Sequence, residues 1–301
     1  MITPGSIVLG YDRSQAARRA LAWAATQAAL ENRVLSVVHV ITPSTTYPTI
    51  ALGAGYVDPQ LVQRGADENA ALELAEARDV LSREFPDVQV ETVAVHGTVA
   101  RVLVDLSRTA ACVVVGSHGY GRLASLLLGS VGFELSRTAT CPVFVIRPNE
   151  PGSVRGGIIV GSDGEPSSAE VIEFAFRQAS LRQLALTVVY CVEDLDAPIG
   201  TLLDQHAPGV EKAGLLLSES GAGIAERFPD VTVRWMIGSG SPADVLVRAG
   251  STMDLIVVGH HHDPSFSDVV GLGSVAPEIV QRGSCPVAVV CAPAVSQAEA
   301  S

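Results

Sequence analysis

The chain has 301 residues, 48% of them hydrophobic and 17% charged, with a formal net charge of -12. That is the length and apolar content of two ordinary globular domains rather than of a disordered chain. The acidic balance argues against general nucleic-acid binding, which needs a cationic face to neutralise phosphates; Lys212 is the single lysine. The opening MITPGSIVLGYDRS has no basic lead and no long apolar core, so no signal peptide is expected. No apolar run approaches the roughly 20 residues of a membrane span. Cys112, Cys141, Cys191, Cys285 and Cys291 lie at or inside apolar runs and form no C-x-x-C pair. They read as buried, reduced thiols of a cytosolic protein.

In chain order, short apolar runs alternate with helical patterns. The first half places strands near 6–10, 34–41, 88–95, 111–116 and 142–147, with helices near 14–31, 58–84, 98–109 and 130–139. Buried strands separated by helix-length segments predict right-handed βαβ crossovers and a parallel sheet covered on both faces. The pattern is then written again. Asp12 falls on Asp163, Gln27 on Gln178 and Leu35 on Leu186; FPDVQV (85–90) returns as FPDVTV (228–233), and CPVFVI (141–146) as CPVAVV (285–290). The second copy is shorter in its middle loop and one residue longer between Gly259 and Cys285. These landmarks predict a first domain over 1–147, a turn-rich linker PNEPGSV over 148–154, a second domain over 155–293 and a disordered tail over 294–301. PVFVI and PVAVV would each be a bare apolar edge, so the two halves are expected to pair through them.

The richest stretch is VVVGSHGYGRLASLLLGS, Val113 to Ser130. A phosphate-cradling P-loop would need a lysine, and none is near. Gly119-Tyr120-Gly121-Arg122-Leu123-Ala124 fits a dinucleotide turn, but it follows the fourth strand rather than the first, and the next strand ends without a carboxylate. A third pattern, G-x-x-G followed by nine residues and G-[ST], takes in Gly116, Gly119, Gly129 and Ser130 without a gap. Physics favours an anion there: glycines let backbone N–H groups converge, Ser130 is placed to cap the next helix, and no acid lies between Val113 and Phe133 while His118 and Arg122 do. In such sheets ligands settle at the carboxyl edge, at the switch between strands one and four, where Asp12 and Gly116 end their strands.

This loop, the L-G-Y-D-R-S at the first strand (residues 9–14), the V-x-G-x-x-A from Val95 to Ala100 and the C-P-V before the last strand together resemble the universal stress protein family in its ATP-binding branch. The likeness covers both halves. It implies two tandem, Rossmann-like, doubly wound α/β domains, each a five-stranded parallel sheet of order 3-2-1-4-5. It also implies ATP, with or without Mg, as the ligand, and a role as a nucleotide sensor or regulator in a stress response. In the first copy it assigns Asp12, beside Gly10, to the nucleoside portion and the backbone of Val40 to adenine. Gly116, Ser117, His118, Gly119, Gly121 and Arg122 would line the triphosphate, closed by Gly129, Ser130 and Val131. Family members often dimerise through the last strand, a pairing that a tandem chain can satisfy internally; further pairing of whole chains into a homodimer is a separate expectation, with unknown protein partners downstream and neither nucleic acid nor membrane among them. Alternatives kept open are a slow nucleotide hydrolase or transferase using the same pocket, and an interaction module with vestigial pockets.

The second copy departs from the pattern. His262 stands where the first copy has Gly119, and residues 259–275 contain Asp263 and Asp268 but no lysine or arginine. Its equivalents, Gly161, Asp163, Gly259, Gly273, Ser274 and Val275, are expected to bind nucleotide weakly or not at all. His260-His261-His262-Asp263 invites a metal site, but neighbours on an extended stretch point to opposite sides. His39, inside a strand, reads as a packed core residue. No G-x-S-x-G elbow appears, no metal site and no catalytic residue is assigned, and at most weak ATP turnover is expected.

Overall fold

The computed structural model describes residues 2–42, 59–117, 130–148, 156–165, 168–261 and 275–292. The chain divides into two compact units, residues 1–135 with 139–141, and residues 136–138 with 142–301.

The first unit contains β1 (Ile7–Gly10), α1 (Gln15–Glu31), β2 (Leu35–Ile41), α2 (Pro59–Glu84), β3 (Val90–His96), α3 (Val99–Ser107), β4 (Cys112–Gly116) and most of α4 (Ser130–Thr138). Its sheet runs β3-β2-β1-β4, all parallel, with Ile7 level with both Leu35 and Cys112. Parallel order forces each helix to carry the chain back over a face, so β1, β2 and β4 are buried on both sides: Ile7, Val8, Leu9, Leu35, Val37, Val38, Val113 and Val114 are fully enclosed. The helix α1 starts where Ser14 Oγ accepts the Ala17 N–H at 3.1 Å and stops at Asn32, which takes the left-handed conformation at φ 50°. Its buried face is mostly alanine, from Ala16 to Ala28, so it sits close to the sheet.

The second unit repeats the plan with β6 (Ile158–Ser162), α5 (Ser168–Arg182), β7 (Leu186–Val192), β9 (Val233–Ser239), α8 (Pro242–Gly250), β10 (Leu255–His261), α9 (Val275–Arg282) and β11 (Val287–Ala292). The parallel order β9-β7-β6-β10-β11 is 3-2-1-4-5 in strand count. Between β7 and β9 the chain adds β8 (Leu202–Asp204), α6 (Glu211–Ser220) and the single turn α7 (Ile224–Arg227). Pairing antiparallel with β9 across Ile237 and Leu203, β8 is a short cover over an edge that sequence patterning does not anticipate. Phe176 is fully buried, stacked on Phe228 at 5.6 Å and tilted against Trp235 at 6.3 Å.

By compactness β5 (Val143–Ile146), the PVFVI strand, belongs to this second unit. It runs antiparallel to β11, the PVAVV strand, with Phe144 opposite Ala288. Every β5 side chain is buried, and Phe144 meets Phe174 at 5.9 Å. Arg147, just beyond β5, donates to the carbonyls of Val280 and Gln281 in the last turn of α9, where a cation complements the helix dipole.

One polar tie in the first unit is sensitive to acid. Glu91 on β3 accepts from the Thr3 N–H at 2.7 Å, from Thr3 Oγ1 at 3.0 Å and from Ser36 Oγ on β2. With its proton given to Glu91, Ser36 is left to accept from Ser6, 2.7 Å away. Burial alone would raise the Glu91 carboxyl, but the hydrogen bonds from Ser36 and Thr3 outweigh it and hold it below its ordinary value. A depressed carboxyl stabilises the fold above the unfolded value of about 4.3 and loses that contribution as pH falls through the folded one. Urea unfolding followed from pH 6 downwards therefore shows stability falling below about pH 4.3 in the wild type, with a shallower fall in Glu91→Gln.

Candidate functional site

Because β1, β2 and β4 are parallel, their carboxyl ends share one edge of the first unit, and the sequence-predicted residues Asp12, Val40, Gly116 and Ser117 are carried to it. The backbone there is defined closely. The Tyr11 N–H donates to Val38 O at 2.9 Å, extending the ladder one residue past β1. Asp12 Oδ1 accepts the Ser14 N–H at 3.0 Å, a short turn that hands the chain to the capped start of α1. Val40 is half-buried on β2 beside Val95 of β3.

Two predicted glycines have packing reasons of different strength. A Cβ on Gly10 would stand 3.0 Å from Leu103 Cδ1 on α3, and the equivalent Gly161 meets Leu246 Cδ1 at 2.8 Å. Both copies thus use a small residue to admit the same leucine, a requirement independent of any ligand. A Cβ on Gly116 would stand 2.7 Å from the backbone carbon of Ala16 and 2.9 Å from its carbonyl oxygen. There the neighbour is helix backbone, which cannot turn aside. Ser117, next along, is buried. His118, Gly119, Gly121, Arg122 and Gly129 lie outside the described residues; Ser130 opens α4 and Val131 is half-buried in its first turn.

Reasoning from sequence missed the charged group behind Asp12. Arg13 adopts φ 60°, the left-handed region that non-glycine residues seldom occupy, and its guanidinium lies 2.6 Å from Glu76 and 3.9 Å from Glu73 on α2. Arg18 reaches Glu76 as well, at 3.4 Å. His39, expected as a packed core residue, is half-buried with Nδ1 3.1 Å from Tyr11 O and 3.2 Å from Glu73 Oε2. The hydrogen points at the carbonyl; Oε2 is a buried oxygen without an aligned bond and contributes by proximity of charge. Tyr11 itself is buried, which pushes its phenol up, and Glu76 adds to the effect. The one signal in sequence is that Glu73 and Glu76 share a helix face with the buried Ala70, Leu74 and Ala77, and that pattern names no partner.

In the second unit Asp163 is engaged more tightly. Its N–H donates to Ser168 Oγ at 3.1 Å, and its Oδ1 accepts from both Ser168 Oγ and the Glu165 N–H, the latter at 2.9 Å. A Cβ on Gly259 would meet the side chain of Val171 at 2.9 Å, and Val275 opens α9 half-buried. Gly273, Ser274, His262, Asp263 and Asp268 lie outside the described residues. His260 Nε2 lies 3.0 Å from Arg137 O. Among the described residues no group of three histidine, cysteine or acidic side chains is arranged to hold a metal. The five cysteines are thiols; burial pushes Cys191 up to about 12 and raises Cys291 as well, which makes neither a nucleophile at neutral pH.

Among the described residues no helix is long and apolar enough to cross a membrane. Of the two packing glycines, Gly116→Ala is expected to cost about 1–3 kcal/mol in chemical unfolding because helix backbone must move, and Gly10→Ala less, because the Leu103 side chain can rotate.

The model of the universal stress protein family matches residues 5–147 and again 156–290. A universal stress protein of Mycolicibacterium smegmatis is 32% identical over 296 residues, covering 96% of this chain and 97% of its own. One from Mycobacterium tuberculosis is 34% identical over 287 residues, covering 94% and 96%. Among solved structures, a universal stress protein from Archaeoglobus fulgidus superposes with a TM-score of 0.70 at 18% identity, covering 96% of this chain and 99% of that one, which is a likeness of fold.

Proposed function

This chain belongs to the universal stress protein family, and from that premise we propose that its first copy binds ATP, with or without Mg, at the carboxyl edge of β1 and β4. The observation that carries the reading is the convergence of Asp12 with Gly116 and Ser117 at that edge, immediately before a loop of the form G-x-x-G, nine residues, G-S. Asp12 Oδ2 takes a ribose hydroxyl, the Val40 backbone takes adenine, and the glycine-rich sequence from His118 to Gly129 together with the N-terminus of α4 takes the phosphates. Arg122 supplies the cation that an otherwise acidic chain needs locally.

The protein acts as a nucleotide sensor rather than an enzyme in this reading. Asp12, the carboxylate carried to this edge, is assigned to the ribose and not to an attacking water, so at most slow turnover is expected. The second copy holds nucleotide weakly or not at all: Asp163 is bonded to Ser168 and Glu165, and His262 replaces a loop glycine. Work in the cytosol, pairing of two chains and control of a partner protein in a stress response belong to the same proposal, and five thiols without a disulfide support the cytosolic setting.

Calorimetry on the full chain is expected to give one ATP per chain at roughly micromolar Kd, about 8 kcal/mol. Gly119→Glu should abolish that binding while the protein stays folded. Undiminished affinity in Gly119→Glu would refute the phosphate assignment. Rapid product formation would favour a hydrolase or transferase, and a chain that takes up no nucleotide would favour an interaction module.

A further inference from the structure

The two copies hold their strand-one acid by different means. In the first copy the peptide on each side of Asp12 is gripped from outside its own loop. His39 Nδ1 faces two acceptors, Tyr11 O and Glu73 Oε2, so it carries a hydrogen, and that hydrogen fixes the carbonyl of the Tyr11–Asp12 peptide. On the other side Arg13 is held in its left-handed conformation by Glu76 and Glu73. Glu73 touches both grips, so one side chain of α2, some sixty residues further along the chain, bridges them.

The repeat register places Gly164, Tyr190 and Leu216 of the second copy where the first has Arg13, His39 and Glu73. These three also come together. Gly164 has φ 78°, and a Cβ on it would lie 3.1 Å from Tyr190 Cε2 and 3.8 Å from Leu216 Cβ. The same place in the fold is therefore built with charges once and with apolar groups once. Where the charges are gone, the acid is held locally instead: Ser168, at the start of its own helix, bonds both the N–H and the carboxylate of Asp163. The first copy has Ala17 at that position, which can do neither.

We infer that Glu73, Arg13 and His39 are positioning residues for the Asp12 carboxylate, and that α2 thereby sets the nucleotide affinity of the first copy but not of the second. This rests on the ATP reading above. Arg13 is the informative member, because its native conformation suits glycine better than arginine. An Arg13 present only for stability would lose stability in Arg13→Gly and leave binding unchanged; a positioning Arg13 would cost no stability on removal and harm binding.

The test uses the full chain and two variants that copy the second repeat, Glu73→Leu and Arg13→Gly. Calorimetry should show ATP Kd raised about tenfold in each. The thermal midpoint of Arg13→Gly should be unchanged or higher. Amide exchange at Arg13 and Ser14, measured without nucleotide, should accelerate in Glu73→Leu. ATP affinity within about twofold of wild type in both variants, or unchanged exchange at these amides, would overturn the inference. If the wild type itself binds no ATP, the functional reading falls, and the exchange measurement still decides the latch: acceleration upholds it and no change removes it.

Discussion

The arrangement of the first site depends on one close approach, that of Gly116 to the backbone of Ala16. With no room for a Cβ, the end of β4 lies directly against the first turn of α1. That contact fixes the distance between the two segments that matter. The turn from Asp12 to Ser14 leads into α1, and Ser117 leads out of β4. A larger residue at 116 would lift the helix and separate the acid from the loop that follows. The glycine is thus needed by the scaffold independently of any ligand, and the chain leaves β4 from a point held by packing.

Electrostatics sharpen the contrast between the copies. A chain of net charge -12 is a poor general host for a polyanion, so the proposed nucleotide site needs its attraction supplied locally. In the first copy the α2 acids Glu73 and Glu76 are occupied with Arg13, Arg18 and His39. Their charge is matched within the same cluster rather than presented to a ligand. These are partly exposed pairs, worth little individually to stability. Their consequence is geometric, since they decide where a strained turn sits. The second copy has exchanged that arrangement for Tyr190 and Leu216 beside Gly164 and a self-contained bond between Asp163 and Ser168.

The covered edges show the same economy of means. A short antiparallel strand, β8, lies along β9 in the second unit, and β5 lies along β11. Both use backbone pairing to close an edge of an otherwise parallel sheet. The buried side chains of β5, with Phe144 against Phe174, add an apolar seal to the hydrogen bonds.

Sequence by itself determined the duplication and, for the first copy, the element order and the strands to within two residues, because Val and Ile runs broken by helix-length segments carry a period that local physics enforces. It also carried Asp12 and Gly116 to one edge, since parallel topology leaves no other for them, although Asp12 lies two residues past the end of β1 and only Gly116 ends its strand. Tertiary structure alone decided the rest. That Gly10 admits Leu103, that β8 pairs with β9, and that Arg13 and His39 meet on Glu73 are contacts between residues far apart in the chain. No periodicity encodes them, because a charged residue on a helix face looks the same in sequence whether it faces water or another strand's end; only the folded backbone brings its partner within reach.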